Sequence, residues 1–365
     1  MSKISRMKVS ILGATGMVGQ KFVQLLQNHP WFDLVDLAAS KNSAGKRYGE
    51  AIKGRWVDKN RVSKNYSHLI VRDVNDFESI PKDIKCVFSA IEMEDKKDTS
   101  KFEFLYARKG YAVISTNSAN RFTIDVPIII PEINGHHSDV IHIQQKLRNL
   151  PFNGFVVTKP NCSIQSYVIA IKALEESGYK VSNVQVTTLQ ALSGGGYRTL
   201  TDEKYKDNVI PFISGEEKKT ESEPLKIFGK IDEKGIKPIK NLKIDALCTR
   251  VPISDGHTAI VKMGFVDAVP TLKDFKRILS NFKSEPQFLE LPSAPKHPIV
   301  ISDKKDRPQP KMDKNNENGM AITIGRIDKD KFFDIKFVGL SHNTIRGASG
   351  GSILVAELLA KKGLI

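Results

Sequence analysis

Short apolar runs recur through the first half of the chain, separated by stretches with helical spacing. Met7–Leu12, Leu34–Ala38, Cys86–Ser89, Ala112–Ser115 and Ile128–Ile130 read as strands, and Phe155, Val156 and Val157 end the series. Strand and helix in alternation predict a parallel, doubly wound α/β sheet of the Rossmann-like kind. Beyond residue 157 the texture changes. Val181–Leu189, Leu242–Val251, Thr258–Asp267, Ala321–Asp328 and Phe332–Leu340 are longer, and several alternate polar with apolar positions. They predict a mixed, largely antiparallel sheet with one covered face, in an α+β unit. Lys218 to Lys243 is charged and carries Pro224 and Pro238, which suggests a helix followed by an exposed loop. Asp303 to Asn318, rich in lysine, proline and asparagine, reads as a long surface excursion. Ile353, Leu354, Ala356, Leu358 and Leu359 give the last helix, Gly350 to Lys362, an apolar face that must be buried.

The first strand runs into Gly13-Ala14-Thr15-Gly16-Met17-Val18-Gly19, and a helix with Phe22, Val23, Leu25 and Leu26 follows. Glycines at this strand-to-helix turn let backbone approach a pyrophosphate, and the helix N-terminus offers N–H donors. Gly13, Thr15, Gly16, Met17 and Val18 are therefore candidate dinucleotide contacts; close helix–strand packing is the alternative use of Gly16 and Gly19. After the second strand, a site for NAD usually places an acid to hold the ribose 2′-hydroxyl. Here the segment carries Ser40, Lys41 and Ser43, and the nearest acid, Asp36, is expected within the strand. Hydroxyls and a cation suit a 2′-phosphate, so NADP is the expected cofactor; a solvated loop is the alternative.

Cys162 lies in Thr158-Lys159-Pro160-Asn161-Cys162-Ser163-Ile164, between the Phe155 strand and a helical run to Leu174. At such a corner the helix dipole stabilises a thiolate, so a lowered thiol pKa and a nucleophilic role are expected. A small buried hydrophobe is the competing reading. Arg250-Val251-Pro252 leads through Asp255-Gly256 to His257-Thr258. His257 should project from a turn, where an imidazole can move protons for a cysteine. Arg250 offers a planar fork for a carboxylate. A solvated histidine and a surface ion pair are the plain alternatives.

At 365 residues the chain is long enough for two domains. No apolar run reaches membrane-spanning length, and the polar lead Met1 to Arg6 lacks a signal-peptide core, so a cytoplasmic protein with no membrane contact is expected. Cys86, Cys162 and Cys248 make an odd set without metal-ligand spacing, which suits a reducing compartment and predicts no metal site. The net charge of +15 is spread along the chain with no nucleic-acid-binding motif. Such a balance favours anionic small substrates over nucleic acid.

The glycine turn, Pro160-Asn161-Cys162-Ser163, Gln190-Ala191-Leu192-Ser193-Gly194-Gly195-Gly196, Ser214-Gly215-Glu216-Glu217, the Arg250-to-Thr258 segment and His342-Asn343-Thr344-Ile345-Arg346-Gly347-Ala348 stand in an order that resembles the aspartate-semialdehyde dehydrogenases, closest to their archaeal and fungal branch. The resemblance runs from residue 7 to the C-terminus. It implies Cys162 as nucleophile, His257 as general acid/base, and Asn161 and Gln190 shaping the acyl and thiolate environment. It assigns Arg250 to the substrate α-carboxylate and Glu216 to its ammonium group, with Lys219 nearby and Glu217 as a possible replacement for Glu216. Arg121, with Asn120 beside it, would hold phosphate. Ser193, Gly194 and Asn343 fall on the cofactor side. The implied fold divides at 1–157, an NADP-binding domain completed by 344–365, and 158–343, a catalytic and dimerisation domain in a homodimer or homotetramer. The implied reaction is NADP-dependent reductive dephosphorylation of L-4-aspartyl phosphate; a malonyl- or succinyl-CoA reductase and an idle NADP-binding regulator are the alternatives. Ile91-Glu92-Met93-Glu94 and Tyr197-Arg198 depart from the family pattern beside the cofactor.

Overall fold

The computed structural model describes residues 6–56, 62 and 64–365, so the polar lead lies, apart from Arg6, outside the described residues. Strands β1 (Met7–Leu12), β2 (Phe32–Ala39), β3 (Arg72–Asp73), β4 (Ile84–Ser89), β5 (Ala112–Ser115) and β6 (Phe155–Thr158) form a parallel sheet in the order β3-β2-β1-β4-β5-β6. Strand order reverses on either side of β1, so a crevice opens beyond its C-terminal end, where ligands of such sheets sit. The glycine turn is at that point. Helices Met17–Leu25 and Gly350–Lys361 cover one face around Val9, Ile11, Phe22 and Leu354, while helix Lys96–Arg108 covers the other around Val87, Phe102 and Tyr106.

The second sheet contains β7 (Val181–Gln190), β10 (Lys243–Arg250), β11 (His257–Phe265), β12 (Ile299–Ser302), β13 (Ile322–Lys329) and β14 (Ile335–Ser341), in the order β10-β7-β11-β14-β13-β12. A small hairpin, β8 (Lys230–Asp232) with β9 (Gly235–Lys237), stands apart. Central pairings are antiparallel, and each edge pairing is parallel, so the sheet is mixed as expected. Val184, Val186, Ala259, Val261 and Phe337 turn to the core under helices Val168–Glu176 and Leu272–Asn281. The opposite face leaves Leu247 and Ile260 half exposed.

Several expectations need correction. Ile128–Ile130 is no strand; only Ile128 bridges to Thr158. Pro127 and Pro131 flank it, and Asn134 takes the backbone instead, accepting from Ile130 N–H at 2.8 Å and donating to Ile128 O at 2.7 Å. Residues 303–318 are anchored: Asp313 is buried, pairs with Arg307 and accepts from Gln309 N–H at 2.7 Å. The stretch after Pro224 is the β8–β9 hairpin, with Ile236 buried, rather than a plain exposed loop. The last helix is buried all round from Gly350 to Leu359, not on one face.

That burial encloses a carboxylate. Glu357 has no exposure and lies 2.8 Å from His29 Nε2, and Ser293 donates to it from N–H at 3.0 Å and Oγ at 2.6 Å. Removing one partner of a buried, hydrogen-bonded pair leaves the others unsatisfied. Glu357→Ala should cost about 3 kcal/mol in urea denaturation; a loss within about 0.5 kcal/mol, the usual surface range, would contradict this account.

Candidate active site

A cleft of about 240 Å³ opens between the two sheets. From the first it takes Val18, Ala90 and Arg121; from the second, Ser193, Glu216, Lys219 and Asn343; Cys162 lies at the junction. Strand β6 ends at Thr158, and Pro160 turns the chain sharply into the 3₁₀ turn Ser163–Ser166, with Cys162 in front of it. The cysteine keeps part of its surface open to the cleft. His257 opens β11 beside Ser341 and is fully buried. Its Nε2 lies 3.2 Å from Cys162 Sγ.

The other ring nitrogen fixes the tautomer. Nδ1 accepts from Ala191 N–H at 2.9 Å, so it carries no proton, and the neutral ring holds its proton on Nε2, pointing at sulfur. Burial, with Arg250 beside it, drives the imidazole pKa down to about 3. The expected lowering of the thiol pKa is not found. Burial pushes the Cys162 thiol upward and Glu216 adds to the push, while Lys159, Arg121 and Lys219 pull back. A 3₁₀ turn of four residues supplies little dipole, so desolvation prevails. At rest the site holds a thiol beside a neutral imidazole.

Helix Glu216–Ile227 brings the acids. Glu216 Oε2 accepts from Asn161 Nδ2 at 2.8 Å and Gln190 Nε2 at 3.1 Å, and Oε1 pairs with Lys219. Burial alone would raise its carboxyl pKa, yet Lys219 and these donors hold it below the ordinary range. Glu217 leaves the cleft and accepts from Cys248 N–H at 3.3 Å, so the choice left open by sequence falls geometrically on Glu216. Arg121 pairs with the fully buried Glu223 at 2.9 Å and donates to Thr116 O at 2.8 Å; its Nε stays buried without a partner. Asn120 is spent elsewhere, accepting from Ser100 Oγ at 2.6 Å and donating to Glu103 at 2.7 Å. Arg250 donates to Ala191 O at 2.8 Å and, among the described residues, forms no ion pair. Gly194 must be small there: a Cβ would stand 2.8 Å from Arg250 Nη1 and 2.9 Å from His257 Nε2.

On the dinucleotide side Gly13 has φ +82°, and a Cβ would meet Ala90 O at 2.7 Å, while one on Gly19 would meet Gly13 O at 2.2 Å. Glycine is thus needed both for the turn and for helix–strand contact. Gly16 precedes the helix that starts at Met17, and Thr15 O accepts from Gln20 at 3.0 Å. Asp36 lies within β2, already occupied by Ser10 Oγ at 2.5 Å and Arg72 at 2.7 Å. Ser40 and Lys41 are exposed beyond the strand, whereas Ser43 is buried. Asn343 donates to Ser193 Oγ at 2.8 Å and accepts from Gly256 N–H at 2.8 Å, joining cofactor side to histidine loop. Sequence reasoning missed Glu223, Lys226 and Lys159. The first two share the buried face of the Glu216 helix, a periodicity of polar residues that could have revealed them.

A glycine turn at a sheet reversal, facing a cysteine–histidine pair on a second sheet, defines a dehydrogenase of the NAD-binding semialdehyde class. Residues 8–141 match the family model described as semialdehyde dehydrogenase, NAD binding domain, and residues 171–346 match semialdehyde dehydrogenase, dimerisation domain. The chain belongs to the aspartate-semialdehyde dehydrogenase family. It is 42% identical to the Archaeoglobus fulgidus aspartate-semialdehyde dehydrogenase, over 99% of this chain and 100% of that one. Identity to the Schizosaccharomyces pombe enzyme is 40%, over 98% and 99% of the two chains. Among solved structures, aspartate semialdehyde dehydrogenase with NADP from Candida albicans superposes with a TM-score of 0.87 at 34% identity, covering 99% of this chain and 100% of that chain.

The tautomer is open to direct measurement. ¹⁵N NMR of His257 should show a neutral ring protonated at Nε2 from neutral pH down to about pH 4, since an imidazole of depressed pKa stays neutral above it. An imidazolium near pH 6 would contradict the geometry.

Proposed function

We propose that this protein converts L-4-aspartyl phosphate to L-aspartate 4-semialdehyde with NADPH, releasing phosphate, through a thioester on Cys162. The observation that carries the reading is the Cys162–His257 contact at 3.2 Å, opening on a cleft that Arg121, Glu216 and Lys219 also line. Such a step serves synthesis of lysine, threonine, methionine and isoleucine. Arg250, lacking an ion-pair partner, takes the α-carboxylate; Glu216 takes the ammonium group; Arg121 and Lys219 take the phosphate. Asn161 and Gln190 hold Glu216 in place. Sulfur attacks the acyl carbon, the carbon–oxygen bond to phosphate breaks, and a thioester remains. NADPH, when bound, supplies the hydride. The Nε2–H of His257 then steadies negative charge on the hemithioacetal oxygen and on the departing sulfur as the aldehyde forms. That role needs a hydrogen-bond donor, which the ring is, and it replaces the proton shuttle expected from sequence.

The residues on the dinucleotide side fit NADP. Gly13 and Gly16 leave room for a pyrophosphate, with Thr15, Met17, Val18, Ser193, Gly194 and Asn343 around it. Asp36 is taken up by Arg72 and so repels no 2′-phosphate, which Ser40, Lys41 and Ser43 accommodate. We place the domain division at 1–157 with 344–365, and 158–343; packing of Leu354 and Leu358 among first-sheet residues supports it. The dimerisation model supports a homodimer or homotetramer. Three free cysteines suit the cytoplasm.

Purified protein should reduce NADP with aspartate semialdehyde and phosphate, and should not oxidise NADPH with malonyl-CoA. Cys162→Ala should lower kcat by more than about a hundredfold, roughly 2.7 kcal/mol, while NADPH affinity, read by fluorescence titration, stays unchanged. Turnover with malonyl-CoA alone, or an active alanine variant, would overturn the reading. Separately, kcat/KM should be higher with NADP than with NAD; equal values would mean that the Ser40–Ser43 loop points elsewhere.

A further inference from the structure

Buried charges behind the cleft pair off almost completely. Arg346 pairs with Glu132, Arg121 with Glu223, and Lys219 with Glu216. Lys159 does not. It is 2% exposed, and its Nζ is buried without a hydrogen-bond partner. Its backbone N–H is fixed to Ser115 O at 2.8 Å, directly after β6, so the side chain cannot swing out to solvent without breaking the corner. It leans instead on the turn that begins the last helix. A Cβ on Gly351 would stand 2.5 Å from Lys159 Cε, and one on Gly347, a helical turn earlier, 2.7 Å from Cys162 Cβ. Lysine and cysteine thus share one glycine-rich wall. Arg346, Arg121, Glu223 and Cys162 are the charged or ionisable groups facing Lys159. Burial drives the amine well below its ordinary pKa, and Cys162 is the strongest influence opposing that shift.

The thiol needs a base, and its neighbours do not supply one. His257 already carries its proton on the nitrogen facing sulfur. Glu216 is held as a carboxylate below the ordinary range, too weak to take a thiol proton. Lys219 is committed to Glu216. A neutral amine remains.

We propose that Lys159 is the proton partner of Cys162: the S–H bond breaks, an N–H bond forms on Lys159 Nζ, and a thiol–amine pair becomes a thiolate–ammonium pair. No charge enters or leaves the protein in this exchange, so the buried ion pairs around it stay balanced. Lys159 acts through Cys162 and does not touch substrate. The proposal rests on Cys162 being the nucleophile.

The test is the pH dependence of Cys162 alkylation by iodoacetamide in the full-length protein without substrate, followed on the Cys162 peptide by mass spectrometry. Internal exchange makes the thiolate fraction independent of solvent pH between the two titrations, so the wild-type rate should be flat from about pH 6.5 to about pH 8.5. In Lys159→Met the proton must leave to solvent. Its rate should fall at least about tenfold at neutral pH and then climb about tenfold per pH unit. A variant profile that coincides with wild type overturns the proposal. So does a wild-type rate that itself climbs with pH, which decides the matter even if Lys159→Met fails to fold. Retained turnover after complete Cys162 alkylation would instead defeat the nucleophile reading and leave the proton exchange measurable.

Discussion

The Glu223 carboxylate, fully buried, holds the two halves of the site in register. One oxygen accepts from Asn161 N–H at 2.5 Å and fixes the cysteine loop; the other takes Arg121 Nη1 at 2.9 Å and fixes the first-sheet cation. Glu216, two turns earlier on the same helix, meets Asn161 and Gln190 side chains. Lys226, on the same buried face, donates to the carbonyls of Arg121, Thr123 and Val126 at 2.6 to 2.8 Å. One helix thus clamps the Arg121 loop, the nucleophile corner and the end of β7. Buried charge is costly unless every polar atom is satisfied, so this arrangement tolerates few alternatives.

Elements whose burial follows from their own pattern were legible in the sequence. Strands β1, β5 and β7 stand where apolar runs put them, because two-sided or alternating burial leaves its period in the residues. Ile128–Ile130 failed for a nonlocal reason: an asparagine four residues on competes for the backbone that a ladder would use. The Glu216 helix read as charged and solvent-facing because its ion pairs form with distant segments, such as Arg121 to Glu223, 102 residues apart. The nucleophile and histidine were legible as types at corners. Their protonation was not, since burial and the Ala191 N–H belong to the assembled fold.

That protonation state shapes the chemistry. A thiolate–imidazolium pair would need a ring charged at both nitrogens, yet Ala191 N–H already points at Nδ1 and Arg250 stands nearby. The ring is therefore kept as a neutral donor aimed at the reacting centre, where fixed dipoles stabilise developing negative charge without reorganising. Separating the donor role from the base role lets each operate near neutral pH with a group of suitable pKa.

The C-terminal segment joins the remaining parts. Asn343 ties Ser193 to the Gly256 turn, Gly347 backs Cys162, and Ser349 Oγ donates to Val18 O at 2.9 Å in the dinucleotide turn's helix. Four glycines stand between 347 and 351 or just before the cleft at 194, and each meets a side chain or backbone at under 3 Å if given a Cβ. Close approach, rather than flexibility, is what those positions demand. From Gly350 the helix enters the first-sheet core and buries Glu357 against His29, so a shift of the turn would have to drag a buried ion pair with it. Cofactor turn, nucleophile and histidine loop are thereby fixed to one rigid element, which is how a hydride donor and a sulfur-bound acyl group come to be held at bonding distance by two different sheets.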